Sequence, residues 1–183
     1  MPMRNVLKTA GICAVLSAIL TGIMFASGLV QAISGTSSGL LVLDSTLIVL
    51  GIPVGVFLML GYVALANMWK NTLLRRVAWA WLIAIPIISL MSMLAIWNSS
   101  AYLQYAYLVL FILLGIGYVL LGYAILPLKK RLKNRARWLG WLYIVQGIVT
   151  ITIIAYLLIG ALLGIAISVI EATIFFRIAK KSR

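Results

Sequence analysis

Long apolar runs separated by short clusters of basic residues dominate the chain. Taking each cluster as a boundary predicts six helical spans, approximately 9–33, 40–67, 75–97, 102–126, 138–159 and 161–178. Each is near the roughly 20 residues that a helix needs to cross hydrocarbon. The runs lack the apolar-polar alternation of a barrel strand, and backbone groups left unpaired in lipid are too costly, so helices are the only plausible spanning element. The expected fold is an all-α integral membrane protein: a six-transmembrane-helix bundle forming one polytopic domain over residues 1–183.

The fifth and sixth spans need a separate argument. Arg137 and Arg177 are separated by 39 residues, and the middle of that stretch, YLLIGALLG at 156–164, offers only glycine as a turn former. At about 1.5 Å per residue the stretch reaches roughly 58 Å, enough for two crossings with a tight turn at Gly160. At the other end, Arg4 and Lys8 precede an apolar run closing in VQA at 30–32, a passable cleavage site. That run exceeds the roughly 7–15 residues of a signal peptide, so a retained first helix is expected.

The spacing also fits three tandem helical hairpins. Asn5, Asn71 and Asn134 each open an odd-numbered span within a basic cluster, at separations of 66 and 63 residues. LGYVAL at 60–65 and LGYAIL at 121–126 echo one another at the ends of even spans, whereas the sixth span lacks that motif.

Composition strengthens the membrane reading. Of 183 residues, 65% are hydrophobic and 9% charged, and the mean hydropathy is +1.21; soluble domains run near 45–50% apolar and about 25% charged. Fifteen basic residues face two acidic ones, for a net charge of +13. The location of the charge is more informative than its sum. The basic groups are Arg4 and Lys8; Lys70, Arg75 and Arg76; Lys129 through Arg137; and Arg177, Lys180, Lys181 and Arg183. The alternate connections, SGTSSG at 34–39 and NSSA at 98–101, carry none. This is the positive-inside pattern, and it predicts a multi-pass protein of the cell membrane with both termini cytoplasmic.

The loop containing Lys129, Lys130, Arg131, Lys133, Arg135 and Arg137 lies between Tyr123 and Pro127 on one side and Trp138 and Trp141 on the other. Aromatic residues beside positive charge mark a membrane interface, and Trp69, Trp79 and Trp81 flank the other basic loop in the same way. The loop is mainly a topology signal, with a contact to anionic lipid headgroups or a protein partner as the alternative. It offers no domain to enter a nucleic-acid groove.

Candidate chemistry is sparse. Cys13 is the single cysteine and histidine is absent, which removes the usual haem, zinc and proton-shuttle ligands, so no cofactor or metal is expected. Neither a catalytic triad nor HExxH nor paired carboxylates at one depth is present, and no enzymatic activity is expected. The two acids differ in placement. Asp44 lies near the outer end of the second span, where an acid caps a helix or reaches water. Glu171 is nine residues before Lys180, roughly 13.5 Å along the helix from the basic end. Gln146, nine residues after Arg137 on the neighbouring span, should lie at similar depth and satisfy the carboxyl with its amide. The same counting brings Ser17, Tyr62 and a tyrosine of the fourth span near that layer. An ionisable group in a membrane is a functional hypothesis; a structural polar clasp and a site for a substrate, ion or proton both fit it. Pro53 between Gly51 and Gly55, Pro86, and the series Gly115, Gly117 and Gly122 permit kinks or close helix approach.

In the first span, Ala10, Ala14 and Ala18 recur at intervals of four within RNVLKTAGICAVLSAILTG. With six spans, small size and a basic cytoplasmic side, this resembles the substrate-binding S components of energy-coupling-factor vitamin transporters. The resemblance implies that the alanine stripe docks a transmembrane coupling subunit. Two functions therefore follow from the sequence: a non-enzymatic subunit or assembly factor of a membrane complex, acting with protein partners or as a homo-oligomer, or a small-solute or ion transport component using the Glu171 layer.

Overall fold

A computed structural model describes residues 3–98, 101–152 and 159–181. The apolar runs fold into six helices of 18 residues or more: α1 (Met3–Ser34), α2 (Ser38–Met68), α3 (Thr72–Trp97), α4 (Ala101–Ile125), α6 (Asn134–Ile151) and α7 (Ala161–Lys181). A 3₁₀ turn (Leu126–Leu128) and the short α5 (Lys129–Leu132) join α4 to α6. No strand occurs among the described residues. Five segments are long and apolar enough to cross a membrane: α1, α2, α3, Leu108–Leu132 and α7. The protein is thus a helical membrane bundle. α6 is not among the five; its 18 residues include Arg135 and Arg137, and residues 153–158 of the predicted fifth span lie outside the described residues, as do 99–100 of NSSA.

Local signals set the helix boundaries. Gly35 adopts φ +81°, a conformation open to glycine, and stops α1. Ser37 then caps α2 by accepting from the Leu40 amide at 3.4 Å, and Asn71 caps α3 by accepting from Leu74 at 3.0 Å. Each side chain satisfies an amide that a helix start leaves without a partner. Asn71 also donates to the Ala124 carbonyl at 2.9 Å, tying the α2–α3 turn to α4. Asn5 lies inside α1 and Asn134 is the first residue of α6, so the three asparagines that suggested a repeat have unlike roles.

The helices form a closed ring in chain order: α1 packs on α2, α2 on α3, α3 on α4, α4 on α6, α6 on α7, and α7 on α1. Sequence-adjacent helices do pair, but the most extensive pairings, α4 with α6 and α1 with α7, join different hairpins. Glycines explain why. A methyl group at Gly115 would lie 2.7 Å from the Gly147 carbonyl oxygen, and one at Gly122 would lie 2.5 Å from that of Gly140. Two antiparallel glycine pairs, two turns apart, bring the α4 and α6 backbones together, as small residues do between membrane helices. α6 and α7 are separate helices: Tyr143 and Glu171, 28 residues apart, are hydrogen-bonded, whereas one continuous helix would hold them roughly 42 Å apart.

Burial is uneven along the ring axis. Near the basic loops, Leu7, Leu65, Leu74, Leu121, Leu139 and Phe175 are all buried in one apolar core. Ala10 and Ala14 belong to the same core, Ala10 seated on Gly61, while Ala18 is half-buried. Toward the opposite end, side chains of α1, α2, α3 and α4 are mostly exposed or half-buried, with Ser27 and Leu47 among the few buried ones.

Candidate functional site

The sealed half of the ring ends in a layer of aromatic rings. Trp81 of α3 lies 4.9 Å from Tyr118 of α4, which stacks on Tyr143 of α6 at 5.9 Å between centroids. Tyr143 meets Tyr62 of α2 edge-on at 6.5 Å, and Tyr62 meets Phe175 of α7 at 5.3 Å. Five helices each contribute one ring, mostly in the offset or edge-to-face arrangements that their quadrupoles favour. Trp81, which the sequence placed in an interfacial belt, is buried here and directs its indole N–H toward the Gly117 carbonyl at 3.4 Å. Trp79, Trp138 and Trp141 remain exposed.

Glu171 sits against this layer with 1% of its surface exposed. The Tyr62 hydroxyl donates to its Oε1 at 2.5 Å, and the Tyr143 hydroxyl donates to the same oxygen. Two tyrosines from opposite sides of the ring thereby satisfy one carboxyl oxygen in a region where an unpaired polar group is costly. The expected amide-to-carboxyl pairing of Gln146 with Glu171 does not occur. Gln146 is buried on the same face of α6, one turn from Tyr143, and its Oε1 has no hydrogen-bond partner among the described residues. Ser17 is bonded not to the acid but to Ser168, whose hydroxyl donates to it at 3.3 Å.

These groups surround one chamber of about 280 Å³. Glu171, Gln146, Ser17 and Ser168 line it together with Tyr118 and Tyr143, and Gly51, Gly55, Gly160 and Gly164 complete its wall. Of the predicted layer, the structure brings Glu171, Gln146 and Ser17 to the chamber and places Tyr62 behind the acid as its donor; the fourth-span tyrosine is Tyr118. Tyr143 and Ser168 escaped sequence reasoning, although each lies three residues before a predicted member, Gln146 and Glu171, and therefore on the same helix face.

Asp44 belongs to a different cluster, at the open end. It neither starts nor caps α2; Ser37 does that. Its carboxylate accepts from the Ser27 hydroxyl at 2.7 Å and from the Gln31 amide at 2.6 Å, both on α1. Nearby, the Trp97 indole donates to Ser45 at 2.9 Å. The cavities beside the two acids share wall residues with a crevice between them. A crevice of about 230 Å³ shares Ser17, Thr21, Gly51, Gly55, Ile88 and Ser89 with the chamber. A third cavity, of about 530 Å³, shares Met24, Ile48, Ile88 and Ser92 with that crevice and reaches Asp44.

At the basic end, a separate cleft of about 450 Å³ gathers Arg131, Lys133, Arg135, Arg177 and Lys181 around Trp69. Lys133, at φ +54°, turns the chain between α5 and α6 and adds its own charge to the cleft. Lys129, Lys130 and Arg137 are exposed outside it.

Comparison with known proteins returned nothing: no family model, no curated protein and no solved structure matches the chain.

Proposed function

We propose that this protein is a membrane-embedded binding component for a small solute or ion, acting in transport. One observation carries the reading: Gln146, 4% exposed, keeps an unpaired amide oxygen beside the chamber that also holds the buried acid. A polar clasp built only to hold helices together would satisfy its members, because an unsatisfied buried acceptor costs about 1–3 kcal/mol. A ligand that donates a hydrogen bond supplies the missing partner. The other reading, a subunit or assembly factor of a membrane complex, rests on the scarcity of polar groups along the chain.

The same reading places six crossings in the cell membrane with the basic end and both termini cytoplasmic, so that the Asp44 end opens outward. A cysteine introduced at Ser37 in a Cys13→Ser background should then react with an impermeant thiol reagent on intact cells. Labelling only after permeabilisation would reverse the orientation. Anionic lipid headgroups are the proposed occupants of the Trp69 cleft, where five cations converge and neither of the chain's two acids lies nearby.

Native mass spectrometry of the protein purified in mild detergent from its own host tests the function directly. A lone chain or homo-oligomer retaining a small molecule, lost from Glu171→Gln protein that still folds, supports binding. Stoichiometric partner chains with nothing retained would establish the subunit reading instead.

A further inference from the structure

The charge pattern of the cavities, set beside the charge of the whole chain, narrows the ligand. The chain carries 15 basic residues, yet among the described residues no lysine or arginine lines the chamber, the crevice above it or the cavity at Asp44. Both acids of the chain line these cavities, Glu171 the chamber and Asp44 the third cavity. A site for an anion or a carboxylated solute needs a cation or an array of donors facing it. Here the two tyrosine hydroxyls nearest the acid already donate to Glu171, and the open valence at Gln146 is an acceptor.

The walls argue against a hard metal cation. Calcium requires about 6–8 oxygen ligands and magnesium a near-octahedral set, whereas this chamber offers one carboxyl and a few hydroxyls between Trp81, Tyr118 and Tyr143. Aromatic faces combined with a single acid and an unpaired acceptor suit an organic cation, whose charge is attracted by ring quadrupoles and whose N–H groups reach oxygen. The volume of about 280 Å³ falls just below the range of about 300 to 1,000 Å³ typical of ligand pockets, which restricts it to a compact ligand. We infer that the chamber binds a compact organic ammonium ion, which donates to Gln146 Oε1 and Glu171 and packs against the Trp81, Tyr118 and Tyr143 rings. Asp44 lines the neighbouring cavity, where its acid group favours the approach of such a cation.

This assignment rests on the proposed function, and its test separates the two. The full chain, purified in detergent, is heated with three matched probes in turn: butylammonium, 1-butanol and butyrate, with melting followed by intrinsic tryptophan fluorescence. Butylammonium should raise the melting temperature saturably, and a tetramethylammonium control, which lacks N–H donors, should need at least tenfold more ligand. The butylammonium shift should vanish in Glu171→Gln and weaken about tenfold in Gln146→Leu. If Glu171→Gln is not monodisperse, Gln146→Leu and Tyr118→Leu carry the test. Saturable stabilisation by 1-butanol or butyrate that equals that of butylammonium and is lost in Gln146→Leu would overturn the ammonium assignment while leaving the chamber a solute site. Absence of stabilisation by every probe in folded protein would sink both.

Discussion

The two ends of the bundle are built from similar apolar residues yet do opposite things. At the basic end, small residues let the backbones close: Ala10 seats on Gly61, Gly140 faces Gly122, and large side chains such as Leu65, Leu121 and Phe175 are fully covered. At the other end the same helices line cavities, and polar ties such as those from Ser27 and Gln31 to Asp44 join α1 to α2. In lipid no hydrophobic force gathers helices, so close packing has to come from small residues and interhelical hydrogen bonds. Where the glycines face another backbone the ring seals. Where they face empty space, as at Gly51, it opens. Pro53 in α2 and Pro86 in α3 lie in the transition between the two regimes, each removing a helical hydrogen bond where its helix passes from packed to open surroundings.

The sharpest way to break this contrast is to overfill the sealed half. Gly122→Leu would drive a side chain into the Gly140 carbonyl and should cost about 3 kcal/mol or more, seen as loss of monodisperse protein on size-exclusion chromatography. Gly51→Leu, at a position with open space around it, should leave that profile unchanged. Equal damage from both would mean that the halves are packed alike. Next in size, Tyr62→Phe and Tyr143→Phe each remove one donor from Glu171; each should lower thermal stability by about 1–2 kcal/mol, and the double variant by more than the sum because the carboxyl then loses both partners. Asp44→Asn loosens the open end only. A change of about 0.5–1 kcal/mol is expected there, within the range measured for interhelical hydrogen bonds in membranes. Smallest is the effect of Arg131→Ala or Arg177→Ala, which should leave the fold intact and weaken retention of anionic lipid during purification by about 1 kcal/mol each, read by lipid extraction and mass spectrometry.

Much of the sealed half was legible because its signals are local. Basic clusters marked helix ends, whereas the caps at Asn71 in this half and at Ser37 at the other end were not read from the sequence. Depth counting from Arg137 and Lys180 placed Gln146 and Glu171 on one chamber. Rotation about each helix was not legible. Counting gives height along an axis and says nothing about which way a side chain faces, which is why an amide was expected beside Glu171 and two tyrosines are found. Trp81 illustrates the same gap: its sequence neighbours fit an interfacial belt, but one face of α3 turns inward, and only the approach of Gly117 creates the space that its ring occupies. The ranking of the contacts was hidden for a related reason: the helices of each predicted hairpin do pair, but the most extensive contacts run between hairpins. Similar end sequences do not fix partners, and the paired glycines of α4 and α6, which do, are visible only once the two helices are known to be antiparallel neighbours.

The depth of Glu171 also gives the site an electrical coordinate. Glu171 lies roughly 13.5 Å along α7 from Lys180, so in the proposed orientation, across a hydrocarbon core about 30 Å thick, a cation arriving from the Asp44 side would cross about half of the membrane field. One elementary charge falling through about half of a 100 mV potential gains roughly 1 kcal/mol, close to a sixfold change in affinity. Occupancy of the chamber would then rise and fall with the polarisation of the cell.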